Sequence, residues 1–232
     1  MTNTIETTVG DLVRAAPVRS RIFEKMGIDF CCGGKKPLAE ACRAKGLDPV
    51  TVLAMLEALG TGSDNAAVDP DQMSLSALCD HIEKAHHGYL REELPRLDFM
   101  TRKVAAVHGD GEPRLAHIRE AFTTFAPAMI AHMKEEEEEI FPQIRQLELD
   151  GTPAKREALR DLLGRLEREH DAAGASLARF RELSDGYAPP EWACNTFRAM
   201  YDGLDRLERD MHQHVHKENN VLFPRALAAQ AS

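Results

Sequence analysis

No stretch of this chain is apolar for long enough to cross a membrane, and its charge shows no basic excess. The first absence argues against a membrane span, which needs about 20 consecutive apolar residues. The second argues against nucleic acid, whose recognition needs clustered positive charge. Lys and Arg number 29 against 38 Asp and Glu, giving a net charge of −9 and a pI near 5.6. The opening MTNTIETTVG lacks both the basic start and the apolar centre of a signal peptide, so the cytoplasm is the expected compartment. Cysteine is odd in number, five in 232 residues, which speaks against a purely disulfide-built scaffold. Strand-like alternation of apolar and polar residues is missing throughout.

What the chain does carry is helical punctuation. Residues 1–60 read as a small domain of short helices: Asp48-Pro49 pairs an N-cap with Pro at the first helical position, and Gly27 and Gly46 each follow a helical stretch where a C-terminal cap belongs. Residues 61–73, within GTGSDNAAVDPDQM, are small, polar and rich in breakers, and read as a linker. From Ser74 onward four long helical segments span about 74–108, 113–149, 153–184 and 190–229, broken at HGDGEP, LDGTP and SDGYAPP. The expected fold is all-α: an up-down-up-down four-helix bundle over 74–232 behind the small helical domain.

Stepping by three or four along the second segment gives Leu115, Ile118, Phe122, Phe125, Met129, His132, Glu136, Ile140. The fourth gives Phe197, Met200, Leu204, Leu207, Met211, His214, Glu218, Val221. Both are core faces at helical period, each interrupted at one level by a His and a Glu four residues apart. The surrounding motif is written twice, HMKEEEEEIFP from His132 and HVHKENNVLFP from His214. A carboxylate on a core face is costly unless paired or metal-bound, so the duplication points to one shared polar centre. The repeat also selects among five glutamates: Glu135 aligns with Lys217, whereas Glu136 aligns with Glu218, so the acidic position common to both copies is Glu136.

The third segment shows Leu159, Leu163, Leu166, His170, Ala173, Leu177, a lone His in an apolar stripe. In the first, His87 leads the face Leu90, Leu94, Leu97, while His86 shares a face with Leu78, Ile82 and Tyr89; periodicity leaves both open. One imidazole from each helix and two carboxylates are too many donors for a tetrahedral zinc. They suit two borderline metals bridged by carboxylates, with positions left open, iron before manganese. The competing readings are plain. A lone core His usually has a hydrogen-bond partner, a single His and Glu four apart are often surface neighbours, and an acidic run is usually solvated, as expected for Glu135, Glu137, Glu138 and Glu139. The duplication on two core stripes outweighs them. His81, His108, His117, His212 and His216 fit no stripe at the level of the site and are expected at the surface.

With DFCCGGK near the N-terminus, HHGYLREELP around His87, EREHDAAG around His170 and the closing HVHKENNVLFPRALA, the chain resembles the hemerythrin-like four-helix bundles. Within them it is similar to the iron–sulfur cluster repair di-iron proteins, over nearly its whole length. The resemblance implies two non-haem iron ions, carboxylate-bridged and oxo- or hydroxo-bridged, held by His87, His132, Glu136, His170, His214 and Glu218. It also selects His87 over His86. Oxygen-carrying hemerythrins use more histidines, so the carrier reading is weakened.

Cys31 and Cys32 are adjacent, and a bridge between neighbours strains the intervening peptide. Gly33 and Gly34 permit unusual backbone, and Lys35 and Lys36 are expected to favour thiolate. A structural turn with incidental thiols is the plainer reading; the resemblance favours a redox or metal-handling pair. Cys42, Cys79 and Cys194 read as ordinary small helix residues. The function implied is repair of iron–sulfur proteins damaged by nitrosative or oxidative stress, with iron supplied from a labile di-iron centre. The alternative is a protein that binds or reduces nitric oxide. Conventional catalysis and a homodimer are left open.

Overall fold

The computed structural model describes residues 3–59 and 70–228. Of the expected linker, residues 61–69 lie outside the described residues, and Pro70–Gln72 forms a single 3₁₀ turn. The N-terminal part consists of α1 (Val9–Ala15), α2 (Ser20–Met26), α3 (Leu38–Ala44) and α4 (Pro49–Ala58). Thr8 and Asp48 cap α1 and α4 by accepting the N–H of Asp11 and Thr51. Gly27 and Gly46 take left-handed conformations, φ 64° and 68°, just beyond α2 and α3.

The expected four-helix bundle follows. Its first rod is α5 (Leu75–Ile82), a π-turn (Glu83–His87) and α6 (Gly88–His108). The second is α7 (Arg114–Glu135), a π-turn (Glu136–Ile140) and α8 (Phe141–Leu149). The third is α9 (Pro153–Leu183), unbroken, and the fourth is α10 (Asn195–Lys217), a π-turn (Glu218–Leu222) and α11 (Phe223–Ala228). α6 packs on α7 and α10, α7 on α9, and α9 on α10, so spatial order follows chain order. The fourth rod begins at Asn195 rather than near 190. Pro189 and Pro190 lack N–H donors and push their predecessors out of helical conformation. Arg198 then reaches back to the carbonyls of Pro190, Glu191 and Ala193, holding this stretch as a turn.

The apolar core is divided. One cluster fills the upper bundle, with Leu90, Leu94, Phe122, Met129, Phe180, Leu204 and Met211. The other fills the lower end, with Leu78, Ile82, Ile140, Ile144, Leu163, Leu166 and Val221. His87, Glu136, His170 and Glu218 each sit in sequence where one cluster gives way to the other.

The upper cluster does not stop at the bundle. Phe23, Phe30 and Leu38 of the N-terminal part belong to it with Met211 and Val215 of α10. His212 and His216, expected at the surface, face this seam: both rings pack edge-on against Phe30, and His216 Nδ1 donates to the Phe30 carbonyl at 3.3 Å. They lie off the bundle stripe because they serve a second buried face of the same helix. Asn220 pins the seam by donating to the Cys31 carbonyl at 2.9 Å. Its amide oxygen fills the space a Cβ would need: one built on Gly34 would lie 2.2 Å from it, one on Gly10 2.5 Å. Asn220→Ala is therefore expected to cost about 1 kcal/mol and to speed amide exchange over residues 31–36, followed by hydrogen–deuterium mass spectrometry. Unchanged exchange there would show that Asn220 does not hold the cysteine loop.

Candidate metal centre

All three π-turns lie at one level of the bundle, and each carries a residue of the polar centre: His87 at the end of the first, Glu136 and Glu218 at the starts of the others. For the latter two the cause is visible in the repeated Phe-Pro. Pro142 and Pro224 cannot donate to the carbonyl four residues back, and their rings would collide with it. Those carbonyls belong to Glu138 and Asn220, inside the widened turns, and the wider turn relieves the collision. The Phe of each motif lies flat against an imidazole of another rod. Phe141 stacks on His87 and Phe223 on His170, with interplanar angles of 13° and 9°.

The structure brings all six expected residues together, in two overlapping groups. His87, Glu136, His214 and Glu218 form one; His132, Glu136, His170 and Glu218 form the other. Within each group the donor atoms lie within 4.8 Å of one another, and every residue is buried. Both glutamates are shared, one oxygen to each group. Glu136 Oε2 lies 3.3 Å from His87 Nε2 and its Oε1 3.3 Å from His132 Nε2. Glu218 Oε1 lies 2.9 Å from His214 Nε2 and its Oε2 3.2 Å from His170 Nε2. The paired imidazoles face each other through Nε2, at 3.3 Å for His87 and His214 and 3.0 Å for His132 and His170.

This donor set fits metal ions. Both oxygens of Glu136 and one of Glu218 are buried without a satisfying hydrogen bond. Orphaned carboxylate oxygens in an apolar core are costly, and most of the contacts above are longer than the 2.7–2.9 Å or so of a charge-assisted pair. Burial opposes charge on Glu218, yet His214 and His170 hold its carboxyl well below the usual range. Burial likewise opposes protonation of His132, but Glu136 prevails and pushes it up to about 10. The pocket thus favours positive charge at its centre.

Three of the four histidines are oriented from behind, as metal-binding imidazoles require. His87 Nδ1 donates to Glu137 at 2.6 Å, and Glu137 is itself paired with Arg91. His132 Nδ1 donates to Glu169 at 2.8 Å. His170 Nδ1 donates to the Asn219 amide oxygen at 2.9 Å. His214 has no such acceptor among the described residues; its ring stacks on His86 at 5.2 Å. His86 belongs to neither group, bonding Asp210 through Nδ1 and Lys217 through Nε2. Glu137, expected to be solvated, is thus half-buried, because the π-turn rotates it toward His87. Its supporting role had a signal in the repeat: position 137 aligns with Asn219, and both accept from an imidazole on another rod. Glu169 had no signal beyond its place beside His170.

The expected thiolate-favouring lysines do not act so. Lys35 pairs with Glu167 at 2.6 Å. Cys31 has its thiol pushed up instead, through its hydrogen bond with Cys32, its burial and the charge of Asp29. Cys42 and Cys79 are buried helix residues, while exposed Cys194 stands just before α10 with its sulfur 3.3 Å from His108 Nε2.

A metal ion between His87 and His214 is expected to bind about 10- to 100-fold more weakly in Glu137→Ala, measured by chelator competition. Equal affinity in the variant would mean that Glu137 only tethers Arg91.

Comparison with known proteins agrees with this arrangement. Residues 80–226 match the hemerythrin HHE cation-binding domain, and residues 5–60 match ScdA_N, a domain of unknown function. The iron–sulfur cluster repair protein ScdA of Staphylococcus epidermidis is 34% identical over 221 residues, 95% of this chain and 97% of its own. The iron–sulfur cluster repair protein YtfE of Pectobacterium atrosepticum is 36% identical over 225 residues, 97% of this chain and 98% of its own. YtfE of Yersinia pseudotuberculosis is 35% identical over 223 residues, 96% of this chain and 97% of its own. With a cation-binding hemerythrin domain behind an ScdA_N segment, and likeness to these relatives from end to end, the chain belongs to the family of iron–sulfur cluster repair proteins.

Proposed function

We propose that this protein restores damaged iron–sulfur proteins by supplying iron from a centre of two iron ions, held by His87, His132, Glu136, His170, His214 and Glu218. The observation that carries the reading is the sharing of Glu136 and Glu218 between two histidine pairs, one carboxylate oxygen to each. Two ions, each with mixed imidazole and carboxylate donors, would be the arrangement such sharing supports. When bound, the irons supply redox-dependent affinity and exchangeable coordination positions. The chain supplies the rest. Each position would be offered two imidazoles and one oxygen from each glutamate, four protein donors, which would leave room for exchange.

Charge supports two divalent ions. Glu136 and Glu218 carry two negative charges in the buried centre, while behind the imidazoles Glu137 is paired with Arg91 and Glu169 is half-exposed. The two buried carboxylates favour divalent cations there but offset only half of the four positive charges of two Fe(II) ions, which suits exchangeable iron. The clients are iron–sulfur proteins, after the names of the relatives, and nitrosative or oxidative damage is the insult this reading assigns to them. No described helix is long and apolar enough to cross a membrane.

The test is to mix anaerobically iron-loaded protein with an enzyme whose cluster has been degraded and to follow the return of activity. Recovery faster than with equal free ferrous iron is expected, lost in Glu218→Ala. No advantage over free iron would sink the repair reading, and zinc or a single metal per chain would sink the two-iron centre. A paired substitution checks the first rod. His87→Ala is expected to lose at least one iron per chain, whereas His86→Ala keeps both, as measured by metal analysis; the reverse result would exchange the two histidines.

A further inference from the structure

Beyond the bundle, the described residues hold one more clustered donor set. Asp29, Cys31 and Cys32 place a carboxylate oxygen and two sulfurs within 4.8 Å of one another. The set is built rather than incidental. Asp29 Oδ1 accepts the Cys31 N–H at 3.0 Å and its thiol at 3.2 Å, and Oδ2 accepts the Gly33 N–H at 2.9 Å. Gly33 is required there, since a Cβ would come within 2.9 Å of the Asp29 carbonyl oxygen. Both cysteines are free thiols. Lys35, which lines the same pocket, is paired with Glu167.

The set opens on a polar pocket of about 70 Å³, with Cys31 and Cys32 on one wall and Glu167, Asp171 and Asn219 on the other. That is room for an ion and a few waters. Among the described residues that line it, the cation is Lys35, already paired with Glu167. The pocket is fixed to the bundle. Asn220 holds the Cys31 carbonyl, and a Cβ on Gly174, one helical turn beyond His170 in α9, would touch the Cys32 sulfur at 3.8 Å. Asn219, in the opposite wall, is the residue that accepts from His170.

We propose that Asp29, Cys31 and Cys32 form a second metal site, a dithiolate–carboxylate pocket for a single borderline divalent cation of the Fe(II) or Zn(II) class. Two sulfurs and one oxygen select such ions over Mg(II) or Ca(II). Tetrahedral coordination at about 2.3 Å to sulfur and 2.0 Å to oxygen fits the spacing of the three donors and leaves a fourth position toward the pocket. Binding exchanges no electrons: the two thiols release their protons as the two metal–sulfur bonds form. The site stands on its own geometry. On the repair reading its place beside His170 makes it a receiving set for iron leaving the bundle, and this last role alone rests on that reading.

The test uses the full chain with its bundle centre already loaded with iron, titrated anaerobically with Co(II). A thiolate-to-cobalt charge-transfer band in the near ultraviolet, saturating at one Co(II) per chain, is expected, since the nitrogen and oxygen donors of the bundle produce none. The band should vanish in Cys31→Ser/Cys32→Ser, and in Asp29→Ala it should remain with about 10-fold weaker binding. Absence of the band would overturn the proposal, as would its persistence in the double variant, which would assign it to Cys42, Cys79 or Cys194. A measurement on the unaltered chain guards against misfolding of variants. Co(II) should protect Cys31 and Cys32 from alkylation while Cys194 is labelled as before, and unprotected Cys31 and Cys32 would overturn the site. Because the band does not depend on iron donation, its failure leaves the repair reading standing, and failed repair leaves the band.

Discussion

The constraint on which the rest of the molecule turns is the burial of two carboxylates between the two halves of an apolar core. Glu136 and Glu218 are fully enclosed, and their oxygens face imidazoles from all four rods. Such an island is costly without positive charge at its centre. Much of the nearby sequence serves that requirement. The imidazoles are aimed by partners behind them, aromatic rings from the Phe-Pro motifs close two of them off from below, and the widened turns admit the prolines that place those rings.

The centre has an approximate two-fold relation that reaches past the donor atoms. The first and second rods stand to each other as the third and fourth do. His87 is supported by Glu137 and covered by Phe141; His170 is supported by Asn219 and covered by Phe223. The residue preceding each of these histidines also has a matching duty: Glu169 meets His132, and His86 meets His214. The relation breaks in charge. Where one half has Glu137 the other has neutral Asn219, and where one has Glu169 the other has a stacked ring. The histidine pair His132 and His170 therefore has a neutral acceptor behind one imidazole, next to the cysteine pocket.

What could be read from the chain follows from this geometry. The stripes through Met129, His132 and Glu136, and through Met211, His214 and Glu218, were legible because core packing repeats at helical period. The supports were not. Glu137 follows Glu136 directly, about 100° around an ordinary helix and so off the stripe, and a periodicity of 3.6 takes no account of a π-turn. His216 and Asn220 were illegible for another reason. Their burial comes from residues about 190 positions earlier, Phe30 and Cys31, and no local pattern reports a second face covered from so far away. The caps at Asp48, Gly27 and Gly46 were legible because their physics is local.

The fourth rod's π-turn joins these threads in three consecutive residues. Glu218 enters the centre, Asn219 supports His170 and walls the cysteine pocket, and Asn220 clamps the cysteine loop. Rigid trans peptides link them, so none can shift by much without moving the next. A change of charge or occupancy that displaced the Glu218 carboxylate would be felt at His170 and at the Cys31 carbonyl with no longer pathway. The seating of the N-terminal helices on α10 and the state of the bundle centre are therefore not independent variables. The glycines at 10 and 34 sharpen the coupling, because the space around Asn220 is already filled to contact and leaves its amide little room to move.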